Sequence, residues 1–139
     1  MKIPLTFALC FNASCPRTNY CLRYVAGTQL PETKHYALSV LPRTLRANGE
    51  CSMFKENAPI KGAYGFNTLF SNVRKKDVSF LREKVIECLG SQSGYYRYNK
   101  GTRLLLPVQQ EKILQLFREH GYQENLRFDH YCETYDFTD

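Results

Sequence analysis

The sequence predicts a small α+β domain in which a cysteine-rich metal-binding loop precedes short strands or a hairpin and two helices. Three cysteines crowd into residues 10–21, apolar stripes of helical period lie in the second half of the chain, and glycines follow them. A chain of 139 residues, 43% of them hydrophobic, suffices for one core. We expect a single domain, 1–139, with a metal-stapled subregion at 1–58, a helix–hairpin–helix core at 59–123 and an acidic tail at 124–139.

The N-terminal element is a ligand loop. Cys10, Cys15, Cys21 and Cys51 follow the spacing C-x4-C-x5-C-x29-C. Thiolates are soft ligands, so four that converge suit Zn²⁺ or an iron–sulfur cluster and close its coordination sphere. We therefore predict a structural zinc site at these four residues, with an iron–sulfur cluster as the alternative cofactor.

Reduced buried thiols and disulfides are the competing interpretations of these cysteines. The stretch after Met1 lacks the long apolar region of an export signal, and the sequence contains no run of about 18 apolar residues. We therefore expect a cytoplasmic protein without a membrane partner, a location that favours metal over disulfides. Cys88 and Cys132 have no cysteine near them in sequence and are expected to be packing residues.

The elements that follow the loop are short. Residues 21–26 predict a brief helix ended by Gly27, and the β-rich stretch 35–41 predicts a strand that Pro42 stops. Residues 59–71 mix glycines and aromatics and predict strand or loop. Their glycines form no phosphate-binding fingerprint, so nucleotide hydrolysis receives no support.

The second half is more regular. An apolar stripe predicts a helix over 77–89, capped by Asp77 or Ser79 and followed by Gly90. Residues 95–106 predict a hairpin that turns at Asn99-Lys100-Gly101. A second helix over 107–120 begins at a proline and stops at a glycine.

The charge distribution suggests a polyanionic partner. The chain carries +6, and its tail at 124–139 holds five carboxylates against one arginine, a sum of −4 that leaves +10 for residues 1–123. A basic body favours DNA or RNA. The predicted hairpin supplies the binding residues, an aromatic ring for base stacking and cations for phosphate: Tyr95, Arg97, Lys100 and Arg103. The alternative is that these cations only solvate the surface while the tyrosines pack in the core.

Catalytic signatures are missing from the sequence, which favours a non-enzymatic protein, although Cys88 or Cys132 paired with a histidine, His120 or His130, stays open. The leading hypothesis is a metal-stapled domain that binds nucleic acid in a regulatory role. The second is a protein-interaction module that docks through the acidic aromatic tail, residues 133–137, or through a dimer surface. The third is an iron–sulfur redox or iron sensor.

Nearly the whole chain also resembles a family of small uncharacterised proteins, a domain of unknown function best known from gut Bacteroidales. The resemblance rests on four runs: ALCFNASCPRTNYCLRYVAG at 8–27, GECSMFK at 49–55, GYYRYNKGTRLLLPVQQEKILQLFREHGY at 94–122 and FDHYCETYDF at 128–137. It implies that the four predicted ligands match the family's cysteine positions, and it implies no activity. The chain departs from the family at Ser52, where proline is expected, and it lacks a further cysteine that some relatives carry just before Cys51.

Overall fold

The computed structural model describes residues 1–138, so Asp139, the last carboxylate of the predicted acidic tail, lies outside the described residues. Over this range the fold is α+β, as predicted, with five α-helices and a two-stranded antiparallel sheet. The elements in chain order are α1 (Leu22–Thr28), β1 (Pro59–Tyr64), α2 (Asn67–Phe70), α3 (Lys75–Leu89), α4 (Gln92–Lys100), α5 (Pro107–Glu119) and β2 (His130–Tyr135). Single 3₁₀ turns form at Thr18–Tyr20 and Pro42–Thr44.

The chain forms two compact units. The first consists of Met1–Pro59 together with residues 135–138, and the second of Ile60–Thr134. Each unit has its own cluster of buried apolar side chains. The predicted organisation as one domain, with subregions ending at 58 and 123, stays a prediction.

The first unit consists mostly of loops around a small core, which contains Phe7, Leu9, Leu22 and Ala26. The predicted short helix is confirmed as α1, which continues through Gly27 instead of ending before it. The predicted strand at 35–41 is wrong, because this segment makes only one parallel bridge, between Ser39 and Leu9. Residues 35–39 are exposed, so no apolar face holds a longer strand against the core.

The second unit is built on helix packing, with α3 in contact with both α4 and α5. Both predicted helices are confirmed, α3 beginning two residues before position 77 and α5 ending one residue before position 120. Gly90 terminates α3 in the left-handed conformation, with φ of 88°. Side chains from all three helices enter the core, among them Leu81, Val85, Tyr98, Ile113 and Phe117.

The predicted hairpin at 95–106 is wrong, because its first half forms α4. The Ser91 hydroxyl accepts a hydrogen bond from the Gly94 N–H at 3.0 Å and caps the helix, and Gly101, with φ of 85°, ends it. Tyr95 and Tyr98 lie three positions apart and are both buried, which is the spacing of one helix face. The four-residue tyrosine pattern is therefore helical and not alternating.

The sheet of the second unit pairs β1 with β2, and Leu105 extends it by a single bridge to Ala63, with N–H···O distances of 3.1 and 2.8 Å. The segment 59–71, predicted as strand or loop, thus contains a strand, and it also contains α2. Part of the predicted acidic tail is β2. Asp129, just before this strand, accepts hydrogen bonds from the first two N–H groups of α2, those of Asn67 at 3.1 Å and Thr68 at 2.6 Å.

Candidate functional site

Four cysteines of the first unit line one small cavity, of about 30 Å³. They are the predicted ligands Cys10, Cys15, Cys21 and Cys51. Cys21 is buried, and the other three cysteines are half-buried. The structure thus brings side chains separated by up to 41 positions to the same place.

Local backbone contacts place each of these cysteines. The N–H of Cys10 donates to the carbonyl of Arg23 at 3.0 Å, and the N–H of Cys15 closes a turn onto the carbonyl of Asn12 at 3.2 Å. Cys21 forms an antiparallel bridge with Glu56 directly before α1, and Cys51 forms one with Leu45. Single β-bridges and turns, and not a regular β-ladder, therefore hold the backbone of this loop.

Gly27 allows the first cysteine to lie against α1. A β-carbon at this position would lie 2.9 Å from the carbonyl oxygen of Cys10 and 3.2 Å from the Phe11 ring. Carbon and oxygen do not approach so closely without a shift of backbone. A side chain at position 27 would therefore force the backbone at Cys10 or α1 to shift.

The cavity walls also include apolar and polar side chains, but neither histidine nor carboxylate; the apolar ones include Val40, Leu41, Leu45, Met53 and Phe54. A donor set of thiols alone is the one that structural zinc prefers. Within residues 1–138, however, no group of three or more His, Cys, Asp or Glu side chains stands where it could hold a metal ion. The four cysteines share the cavity without forming a ready coordination sphere.

Two guanidinium groups also line this cavity. Arg23 is 4% exposed, and it donates to the carbonyls of Met53 at 2.7 Å and Ala8 at 2.9 Å. Arg17 lies 4.1 Å above the Phe54 ring, and its buried Nε has no hydrogen-bond partner within residues 1–138. A buried donor without an acceptor is costly, so the Arg17 Nε–H marks a place where an acceptor would be stabilising.

The predicted nucleic-acid residues are only partly brought together, because they lie on and after α4. Tyr95 is 6% exposed and its ring stacks on Phe66 at 4.8 Å, so the expectation that it stacks on a base is wrong. Burial raises the pKa of Tyr95, against the effect of the nearby Arg82 guanidinium. Arg97, Lys100 and Arg103 are exposed.

A groove that the sequence analysis missed lies beside Tyr95 in the second unit. We call it the tyrosine groove; its volume is about 360 Å³, and its walls include Phe70, Arg82, Tyr95, Tyr96 and Asn99. The missed signal is Ser91, a capping residue three positions before Gly94, which predicts a helix and thereby separates the inward Tyr95 from the outward Tyr96.

The aromatic residues of the segment 133–137, Tyr135 and Phe137, pack within the first unit. The Phe137 ring lies edge-on to Phe7 at 5.0 Å, and Tyr135 contacts the same apolar cluster. Asp136 pairs with Lys55 at 3.2 Å. The side chains that were expected to dock on a partner protein are thus engaged inside the chain.

The histidines that the sequence left open for catalysis have other contacts. His120 Nε2 lies 3.3 Å from the Asp77 carboxylate, which also accepts a hydrogen bond from the Tyr122 hydroxyl. That bond chiefly lowers the pKa of Asp77, and the same carboxylate raises the pKa of Tyr122. The cluster ties the first turn of α3 to the residues after α5, and we interpret it as structural. His130 stacks on Tyr64 at 4.8 Å.

No helix of residues 1–138 has the length and apolar character needed to cross a membrane.

Comparisons with known proteins agree with the predicted resemblance. No curated protein and no solved structure matches the chain. A family model matches residues 1–137, which is nearly the whole chain. The chain therefore belongs to a family of unknown function, DUF6078.

Proposed function

We propose that the protein is a non-enzymatic zinc protein whose first unit is closed by a zinc ion on Cys10, Cys15, Cys21 and Cys51. The observation that carries this proposal is that all four cysteine residues line one cavity, whereas Cys88 and Cys132 belong to the other unit. Packing alone does not require the four cysteines of a 59-residue segment to meet at one place. Coordination of one zinc ion by all four cysteines accounts for this arrangement.

The arginines of the cavity support a thiolate site. Four thiolates around Zn²⁺ leave a net charge of −2, which is costly in an apolar cavity unless cations lie near. Arg17 and Arg23 provide two such cations, and the unpartnered Arg17 Nε–H can donate to a thiolate. The thiol groups must close on the ion, because they do not form a coordination sphere as they stand.

Elemental analysis of protein purified without a tag, under reducing and anaerobic conditions, tests the proposal. We expect one zinc per chain, lost in Cys15→Ser and in Cys51→Ser together with thermal stability. Cys88→Ser, at an exposed position of the second unit, is the matched control and should keep both. Iron with visible absorption would instead establish the iron–sulfur sensor. Wild-type protein without metal, or Cys51→Ser with full metal content, would refute the site.

Nucleic-acid binding in a regulatory role is the second candidate function. It is favoured by three exposed cations, Arg97 and Lys100 in the last turn of α4 and Arg103 after it; α4 itself contains no carboxylate. Cations on one surface neutralise phosphates without reading sequence. DNA or RNA is the partner that this surface fits.

Charge reversal tests this second function. We expect Arg97→Glu/Lys100→Glu/Arg103→Glu to abolish binding to DNA and RNA fragments, and we expect wild-type affinity to fall with salt by a log–log slope of about −0.9 per phosphate. Arg74→Glu/Lys75→Glu/Lys76→Glu makes the same charge change at other exposed positions of the second unit and is the control. Equal losses in both variants would mean that overall charge, and not this surface, attracts the polyanion.

A further inference from the structure

We propose that the tyrosine groove binds a nucleotide, with the base stacked on Tyr96 and the phosphate on Arg82. Its volume of about 360 Å³ is within the range of small-ligand sites, roughly 300–1,000 Å³. Its walls carry one guanidinium, several aromatic rings and two side-chain amides, but no carboxylate. These are the groups that recognise a ligand that is both aromatic and anionic.

Tyr96 offers a fixed stacking surface. It is 52% exposed, although it directly follows a tyrosine that is buried. The two rings stand 5.7 Å apart at 83°, and the Tyr95 ring is itself stacked on Phe66. An exposed ring that is supported from behind loses little freedom when a base stacks on it.

Arg82 offers the cation. It is exposed on α3, and no carboxylate within residues 1–138 forms an ion pair with it. Arg82 lines the groove together with the buried Tyr95. A planar guanidinium without a carboxylate partner is suited to bidentate contact with a phosphate.

Asn99 offers a hydrogen-bond donor for the base edge. Its side-chain oxygen accepts a hydrogen bond from the Phe66 N–H at 2.9 Å, which fixes the amide and leaves the NH₂ group as the donor side. Amide side chains read the edges of unpaired bases in this way. The groove therefore combines stacking, charge and an oriented donor.

A nucleotide can come from two sources, a free mononucleotide or an unpaired position of a nucleic-acid strand. The mononucleotide goes beyond the proposed functions, whereas the strand rests on the second of them. Isothermal titration with AMP, adenosine, inorganic phosphate and an eight-nucleotide single strand separates the sources. Saturable AMP binding identifies a free nucleotide. Binding of the strand alone, if it depends on Tyr96, identifies nucleic acid.

For AMP, we expect binding about tenfold tighter than for adenosine, and no saturable binding of phosphate alone, because base and phosphate both contribute. Tyr96→Ala and Arg82→Gln should each weaken binding of AMP or of the strand about tenfold or more. Tyr36→Ala, at a 90% exposed tyrosine of the first unit, and Arg127→Gln, at an exposed arginine of the second, are the matched controls and should bind as wild type.

The proposal is overturned if neither AMP nor the strand binds, or if both groove variants bind as tightly as wild type. The cations of the second proposed function lie outside the groove walls. Loss of strand binding in the Arg97, Lys100 and Arg103 variant with unchanged AMP binding would therefore support the groove. Strand binding lost in that variant but unaffected by both groove variants, with no AMP binding, would leave the second function standing and refute the groove.

Discussion

Replacing Asp129 by alanine should destabilise the second unit by removing the acceptor for two N–H groups of α2. The bond from Thr68, 2.6 Å long, is partly buried, and the bond from Asn67, 3.1 Å long, is exposed. Water can replace the exposed bond, but the partly buried donor loses a charged acceptor at a cost of about 1–3 kcal/mol. Together with the lost helix cap we expect a decrease of about 2 kcal/mol in the free energy of unfolding.

Urea denaturation followed by circular dichroism measures this decrease in the free energy of unfolding. In thermal unfolding, the same decrease should lower Tm by about 8 °C, at roughly 4 °C per kcal/mol. Burial raises the pKa of Asp129, but the hydrogen bonds from Thr68 and Asn67 outweigh it and hold the pKa below its usual value. The carboxylate therefore stabilises the fold fully above the unfolded pKa, about 3.9, and this stabilisation is lost as the pH falls through the lower folded pKa. The difference between wild type and variant should shrink as the pH approaches 3.

Glu133→Ala is the matched control, because Glu133 is an exposed carboxylate a few residues further along the same segment. It should lose less than about 0.5 kcal/mol. If Asp129→Ala were no less stable than this control, or if its deficit were the same at pH 3 and pH 7, the hydrogen bonds to α2 would not be the source of stability.

Three further substitutions test the second unit. Gly65→Ala puts a methyl group 2.6 Å from the Asp129 β-carbon at φ of 87°, so we expect a loss of at least about 2 kcal/mol by urea denaturation; wild-type stability would contradict the close approach. Phe117→Ala creates a cavity at a fully buried position and should lower the free energy of unfolding by about 4 kcal/mol. A fall in Tm of only a few degrees would contradict this expectation. Tyr122→Phe removes the hydroxyl that donates to Asp77 and lowers the pKa of that carboxyl, a bond that stabilises the fold at pH values above the usual aspartate pKa. Calorimetry should therefore show a lower Tm for the variant at pH 7, with a difference from wild type that diminishes below about pH 4. A difference in Tm that is independent of pH would exclude this role.

The regular helices were predictable because their signals are long. The stripes of α3 and α5 extend over three or more turns, and each is followed by a glycine, so tertiary contacts had no reason to override them. The α4 segment offered only the tyrosines at 95, 96 and 98, which fit both a strand and a helix. The capping bond of Ser91 decides for the helix.

The two candidate sites also differ in how far the sequence predicts them. The cysteine spacing pointed to residues that the structure places around one cavity, whereas the metal itself stays a proposal. The tyrosine groove could not be predicted, because it needs Arg82 from α3 and Tyr96 from α4 side by side. No local pattern encodes such a pairing between elements.

The first unit includes both the beginning of the described chain and residues 135–138. During synthesis the residues around Phe7 leave the ribosome well before Phe137, the residue whose ring packs against Phe7. At about 5–20 residues per second, the early segment waits several seconds or more for its last apolar partner. Until then its cysteines are attached to an unfinished core. The first unit thus begins to emerge before the second unit, but it receives residues 135–138 only after the second unit has emerged.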